Sequence, residues 1–310
     1  GSRQPGDTRM STETPGVRKT VTAEALARLA SMHLRARIMV EGHFSGQHHS
    51  RMRGASVEFA DHREYAPGDD TRHLDWRLYA RSERHFVKEF DAETNLSVYL
   101  LLDTSASMAY PERGVSKLLY GTYLAAGLAY LAWRQRDAPG LGLMDNELRD
   151  LLPPQSQRGH LNRLMERLEA VRAGGDTDLL AGLGQAVPTM ARRGLVILIS
   201  DLWLDPEALV KGLRFLRHRG HDVVVLHVLH PDEIYFPFRG SWAFVEPETQ
   251  QRIPAESAVV RRAYREALNE HLATIRQGLL THGLDYQLCD TTQSFDVALA
   301  TVLARRYQMH

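Results

Sequence analysis

Leu96-Ser97-Val98-Tyr99-Leu100-Leu101-Leu102-Asp103-Thr104-Ser105-Ala106-Ser107 is the stretch from which the rest of the chain is read. Leu96–Leu102 is a short, mostly apolar run, and it predicts a buried β-strand. The residues after it put a carboxylate and two hydroxyls, in Asp-x-Ser-x-Ser spacing, on one tight turn at the strand's carboxyl end. Downstream the pattern becomes regular. Helices are predicted near Ser116–Arg134, His160–Val171, Leu179–Arg192 and Pro206–Arg217, and later over Val259–Thr281 and Phe295–Arg306. Strands are predicted over Gly140–Met144, Leu148–Leu152, Leu195–Ser200, Asp222–Leu229 and Asp285–Leu288. Strands alternating with helices imply parallel pairing with helices on both faces. The expected fold class is therefore α/β: a doubly wound, mostly parallel sheet, preceded by a smaller irregular or β segment.

Upstream, Val21–Val40 has helical spacing with Thr22 as its N-cap. Glu41–Arg53 is rich in Gly, His and Ser without periodicity and reads as loop, and His85–Phe90 alternates as an exposed strand. The expected division is a disordered tail over 1–20, an N-terminal helix and irregular segment over 21–95, and the sheet domain over 96–310.

Composition sets the outer bounds. With 43% hydrophobic and 25% charged residues, the 310-residue chain has an ordinary globular balance. Its 38 Lys+Arg against 38 Asp+Glu give no overall field to recruit nucleic acid. The single cysteine, Cys289, excludes an intrachain disulfide and a cysteine-based zinc site, and fits a cytoplasmic setting. No run approaches the roughly 18 apolar residues of a membrane span.

In doubly wound sheets, ligands bind beyond the carboxyl ends of the strands. Asp103, Ser105 and Ser107 lie at such an end, and Asp201 follows the strand Leu195–Ser200. Between them, Gly174-Gly175-Asp176-Thr177-Asp178 opens a helix and adds a further hydroxyl, Thr177. Each piece has a plainer reading. Asp103 and Ser105 suit a helix cap, Thr177 and Asp178 are ordinary N-cap residues, and Asp201 begins a turn. Taken together they form a cluster of oxygen donors without nitrogen or sulfur. Such a cluster suits a hard divalent cation, chiefly Mg²⁺ and also Mn²⁺ or Ca²⁺. Ser105, Ser107 and Thr177 would ligate through neutral hydroxyls, with Asp103 and Asp201 direct or through water. A cation held mostly by neutral groups keeps its charge and attracts an anion at an open position, most naturally a partner's Asp or Glu.

Asp103–Ser107, Thr177 and Asp201 resemble the metal-ion-dependent adhesion motif of von Willebrand factor A domains. Glu58-Phe59-Ala60-Asp61-His62-Arg63-Glu64-Tyr65-Ala66-Pro67-Gly68-Asp69-Asp70, followed by Arg72, Asp75-Trp76-Arg77 and Ala80-Arg81, resembles the signature of the bacterial domain of unknown function 58 family. That signature leads into Val87-Lys88-Glu89 and the Asp-x-Ser-x-Ser strand, as it does here. The resemblance implies a von Willebrand factor A-like fold and a protein partner, a MoxR-type AAA+ ATPase or its client, in chaperone-like remodelling or metal-centre maturation. Some members of that family carry membrane helices; with no such run in its sequence, this chain resembles the soluble branch. The charges of Glu58–Arg81 read either as a partner surface or as a self-satisfied salt-bridge network.

Two functional classes follow. The first is a non-enzymatic, Mg²⁺-dependent adaptor. The alternative is a Mg²⁺-dependent phosphatase or phosphotransferase of haloacid dehalogenase type. That chemistry wants a second carboxylate two residues after the first as general acid/base, and here the position is Ser105. No phosphate-binding glycine motif and no Gly-x-Ser-x-Gly elbow occurs. His43, His48 and His49 read as solvated loop histidines, His227 as a satisfied core or rim residue, and Cys289 as a small buried hydrophobe. Arg261, Arg262 and Arg265, with Glu266 and Glu270, read as a solvated helix face.

Overall fold

Every residue of strand β3 (Ser97–Asp103) is buried, and its side chains alternate between two separate cores. Val98, Leu100 and Leu102 pack into one, Tyr99 and Leu101 into the other. That is the signature of a central strand covered on both faces. The structure is a computed structural model describing residues 21–27, 29–46, 62–64, 86–88, 96–111, 113–175, 178–245 and 252–309. The expected tail over 1–20, His48, His49 and nearly all of Glu58–Arg81 lie outside the described residues, as do Asp176 and Thr177.

The chain begins with helices α1 (Ala23–Ala27) and α2 (Met32–Gly46), then a two-stranded antiparallel pair, β1 (His62–Glu64) and β2 (Phe86–Lys88). After β3 come α3 (Lys117–Arg134), β4 (Ala138–Met144), β5 (Leu148–Leu152), α4 (Arg158–Ala170) and α5 (Leu179–Ala186). Next are β6 (Gly194–Ser200), α6 (Pro206–His218), β7 (Asp222–Leu229) and α7 (Pro231–Tyr235). The chain ends with β8 (Ser241–Val245), β9 (Arg252–Glu256), α8 (Ser257–Thr281), β10 (Asp285–Asp290) and α9 (Asp296–Gln308). The main sheet has six strands in the order β10-β7-β6-β3-β4-β5, parallel except for the β4–β5 hairpin. The expected doubly wound, mostly parallel sheet is the observed one. Helices α2, α3, α4 and α9 cover one face, while α5, α6 and α8 cover the other.

Three details depart from the sequence reading. Helix α2 continues to Gly46 through the stretch expected to be loop. His43 consequently sits on a helix, buried, with its Nδ1 3.1 Å from Asp296 Oδ1 at the start of α9; it is not a solvated loop residue. The single helix expected over Val21–Val40 is two, and Thr22 Oγ1 accepts from Ala25 N–H at 3.4 Å. The antiparallel β8–β9 hairpin (Ser241↔Glu256 through Val245↔Arg252) and the five-residue α7 carry too little periodicity to be read from sequence.

Backbones approach closely where β6 begins. Gly194 pairs with Ser97, and a Cβ at Gly194 would stand 2.0 Å from the Ser97 carbonyl oxygen. That atom belongs to the central ladder and cannot swing aside. Gly194→Ala is expected to destabilise the fold by about 1–3 kcal/mol, the usual range for overpacking. Urea denaturation should show a lower midpoint with an unchanged slope.

Candidate functional site

Parallel register brings the carboxyl ends of β3 and β6 side by side. Leu102 is opposite Ile199, so Asp103 emerges next to Ser200 and Asp201. Both carboxylates have 0% exposure. The Asp103 oxygens are each satisfied: Ser105 N–H donates to Oδ1 at 2.9 Å, and the Ser200 hydroxyl donates to Oδ2 at 2.5 Å. The Ser105 and Ser107 hydroxyls, both buried, lie 3.1 Å apart. The loop carrying them is tied to the glycine turn by backbone bonds, Ala106 N–H to Gly175 O at 3.2 Å and Gly174 N–H to Thr104 O at 2.9 Å. Gly175 has φ +83°, and a Cβ there would meet Asp145 Oδ2 at 2.5 Å, so this junction requires glycine.

Burial, and then the nearby Asp201 charge, push the Asp103 carboxyl up to about 6; its hydrogen bonds pull the other way. Asp201 Oδ2 accepts from Lys117 Nζ at 2.7 Å, and Asp201 Oδ1 is buried with no hydrogen-bond partner. Lys117 is the first residue of α3, after the capping Ser116, and is 1% exposed. Its ammonium also donates to Glu233 Oε1 at 2.6 Å. Burial presses the Lys117 pKa down, but Asp201 and Glu233 more than offset it, so it lies above the ordinary lysine value. Glu233 is carried on α7, where its side chain accepts from His230 N–H at 2.8 Å in a capping box. The Trp203 indole N–H reaches Glu233 Oε1, the oxygen that Lys117 also holds, at 3.3 Å. His227 is buried on β7, its Nε2 2.8 Å from the Asp201 carbonyl and its Nδ1 3.0 Å from the Tyr286 hydroxyl. Burial holds its pKa down at about 3.

The structure thus brings together four of the five expected residues: Asp103, Ser105, Ser107 and Asp201. Thr177 lies outside the described residues. Neither Asp103 nor Ser105 caps a helix through its side chain; Ser116 caps α3, and the 3-10 turn Ala106–Ala109 has no side-chain cap bond. Asp178 does cap α5, accepting from Ala181 N–H at 3.0 Å. Sequence reasoning missed Lys117 and Glu233. The only signal for Lys117 was its position at the head of an otherwise apolar helix.

The donors suit a hard cation. Among the described residues no three His, Cys, Asp or Glu side chains form a metal cluster, so any ion here would rely on hydroxyls. The unpartnered Asp201 Oδ1 is the atom in greatest need of a positive charge. Ser105, Ser107 and Asp201 would touch the ion, with Asp103 orienting the serine loop beneath it. Bound there, a divalent ion would supply a positive charge with room for an external oxygen ligand.

A family model described as Protein of unknown function DUF58 matches residues 61–274, more than half of the chain. Uncharacterized protein Rv1480 of Mycobacterium tuberculosis is 26% identical over 238 residues, covering 76% of this chain and 72% of that protein. Uncharacterized protein YeaD of Bacillus subtilis is 30% identical over 122 residues, 39% of this chain and 27% of that protein. Similar solved structures include the conserved hypothetical protein BatB from Bacteroides thetaiotaomicron, with a TM-score of 0.47 and 16% identity over 69% of this chain and 99% of that one. The VWA domain of SpRpn10 aligns with a TM-score of 0.37 and 10% identity over 66% of this chain and 93% of that one.

The Asp103 and His227 shifts act oppositely on stability. Asp103 binds its proton more tightly folded than unfolded, so its contribution falls as pH rises from about 4 to about 6. His227 stays neutral in the fold while its unfolded form protonates below about 6.5, so its contribution rises with pH over the same window. Asp103→Asn removes only the first. In divalent-free buffer, the variant's unfolding free energy should climb more steeply between pH 4 and 6 than the parent's. Parallel curves would show that Asp103 is not the perturbed group.

Proposed function

This chain belongs to the family described as Protein of unknown function DUF58, and from that premise we propose that it is a metal-dependent protein-interaction module rather than an enzyme. One Mg²⁺, or Mn²⁺ or Ca²⁺, binds Ser105, Ser107 and Asp201, with Thr177 completing the set and Asp103 bracing the loop. An acidic side chain of a partner takes the open position. The partner proposed is a MoxR-type AAA+ ATPase or the client it remodels, which rests on the sequence resemblance, and the setting is the cytoplasm, which rests on the single cysteine. Among the described residues no helix is long and apolar enough to cross a membrane.

The observation that carries this reading is the buried, unpartnered Asp201 Oδ1 beside a second buried carboxylate. Lys117 pairs Oδ2 only, and a buried carboxylate oxygen left without a donor or cation is costly. The phosphatase alternative is disfavoured by Ser105, which stands two residues after Asp103 where that chemistry wants a second carboxylate as general acid/base.

Calorimetric titration of chelator-stripped protein with MgCl₂ tests the first half. The parent should take up one ion, and the Ser105→Ala/Ser107→Ala variant should bind at least about tenfold more weakly, the loss typical of an impaired metal shell. Equal uptake by both would reject the assignment. Affinity capture from the native cell tests the second half: an AAA+ ATPase should be recovered with Mg²⁺ and lost with chelator.

A further inference from the structure

Lys117 is a buried cation with two anionic partners, one inside the site and one on its rim. Asp201 Oδ2 lies 2.7 Å from its ammonium and Glu233 Oε1 2.6 Å. Glu233 in turn accepts the indole N–H of Trp203, which is 37% exposed and stacks on His271 at 5.5 Å and 15°. A chain of polar contacts therefore runs from Asp201 to an exposed aromatic: carboxylate, ammonium, carboxylate, indole. The α7 backbone is fixed separately, since the Tyr264 hydroxyl donates to the Glu233 carbonyl at 2.9 Å and His230 caps the helix. Glu233 Oε2 is held as well, by the His230 N–H at 2.8 Å, so what is left adjustable is how Oε1 is shared between the Lys117 ammonium and the Trp203 indole.

We infer that Lys117 and Glu233 couple divalent occupancy at Asp201 to the seat of Trp203, so that metal binding resets the rim a partner meets. The inference rests on the metal reading above. Asp201 cannot serve a divalent ion on Oδ1 and hold the ammonium on Oδ2 without the two cations repelling across a few ångströms of protein. Among the described residues Lys117 has one other carboxylate within reach, and it shifts its weight to Glu233. Glu233 then has less acceptor capacity for the Trp203 N–H, and the indole moves.

Coupling is reciprocal: if the ion alters the Lys117–Glu233 contact, altering that contact changes the ion's affinity. The two partners should act in opposite directions. Lys117→Met removes a competing positive charge and should tighten Mg²⁺ binding. Glu233→Gln removes a nearby negative charge and leaves Lys117 wholly on Asp201, so it should weaken binding. Each effect is expected at about fivefold or more, the lower end of ordinary coupling energies. The double variant Lys117→Met/Glu233→Gln should fall between them, and it guards against the first failing to fold with two unpaired carboxylates.

The test titrates the full chain with MgCl₂ by calorimetry and, in parallel, follows tryptophan emission and acrylamide quenching. The parent should show a saturable Mg²⁺-dependent change at Trp203, absent in Trp203→Phe and diminished in Glu233→Gln. Affinities within twofold of the parent in all three charge variants, or Mg²⁺ binding with no Trp203 signal, would overturn the coupling while leaving the metal site standing. No Mg²⁺ uptake by the parent would overturn both.

Discussion

Two carboxylates, Asp103 and Asp201, stand at the ends of adjacent parallel strands with no exposure to water. Nearly everything around them answers the repulsion this creates. A buried carboxylate costs several kcal/mol unless it is paired and hydrogen-bonded. Asp103 is relieved by the Ser200 hydroxyl and the Ser105 amide. Asp201 is relieved on one oxygen by Lys117, a lysine carried almost wholly into the interior to do so. The remaining oxygen has no relief. This division separates the roles of two residues that look alike in the sequence: Asp103 is saturated and shapes the loop, while Asp201 presents an acceptor.

The sheet makes that juxtaposition unavoidable. β3 and β6 are central strands whose alternate residues feed two different cores, so a slip by one residue would exchange the two packed sets and mismatch both cores. With the register fixed at Ser97↔Gly194 through Leu102↔Ile199, the acids beyond both strands share one end of the sheet. The backbone bonds between Ala106 and Gly175, and between Thr104 and Gly174, then pin the serine loop to the glycine turn. Precision at the site is thus inherited from strand pairing, with the loops adding only local closure.

What could be read in the sequence follows from the same physics. Strands such as Val196–Ile199 and helices such as Pro206–His218 announce themselves through apolar runs and periodicity, because burial dictates residue type over many positions. The site acids were legible because strand ends are where such sheets place function. Lys117 was not, because a lysine at a helix start ordinarily reads as a solvated residue; only the tertiary arrangement shows that Asp201 and Glu233 converge on it. Glu233 hid for a related reason: a five-residue helix has no period, and its acid looks like half of a capping box, which it also is. His43 was misread because a Gly- and Ser-rich segment was given its intrinsic preference. Met39 and Val40 packing into the core carries α2 onward to Gly46 instead.

The charge balance of the site narrows what it can accept. Among the described residues Lys117 alone bridges to these carboxylates, so with Asp103, Asp201 and Glu233 ionised two negative charges are uncompensated around it. The chain has two ways to reduce that deficit. One is a proton on Asp103, favoured by its elevated pKa of about 6, which removes one of the two charges. The other is a cation placed at Asp201 Oδ1. A monovalent ion would leave half the deficit, whereas a divalent ion cancels it and makes the Asp103 proton unnecessary. Proton and metal therefore compete to offset the same excess charge on different atoms, the proton by half and a divalent ion in full. An external carboxylate arriving afterwards meets a neutral cluster, not an anionic one, and the ion has removed the repulsion that would otherwise turn an acidic partner away.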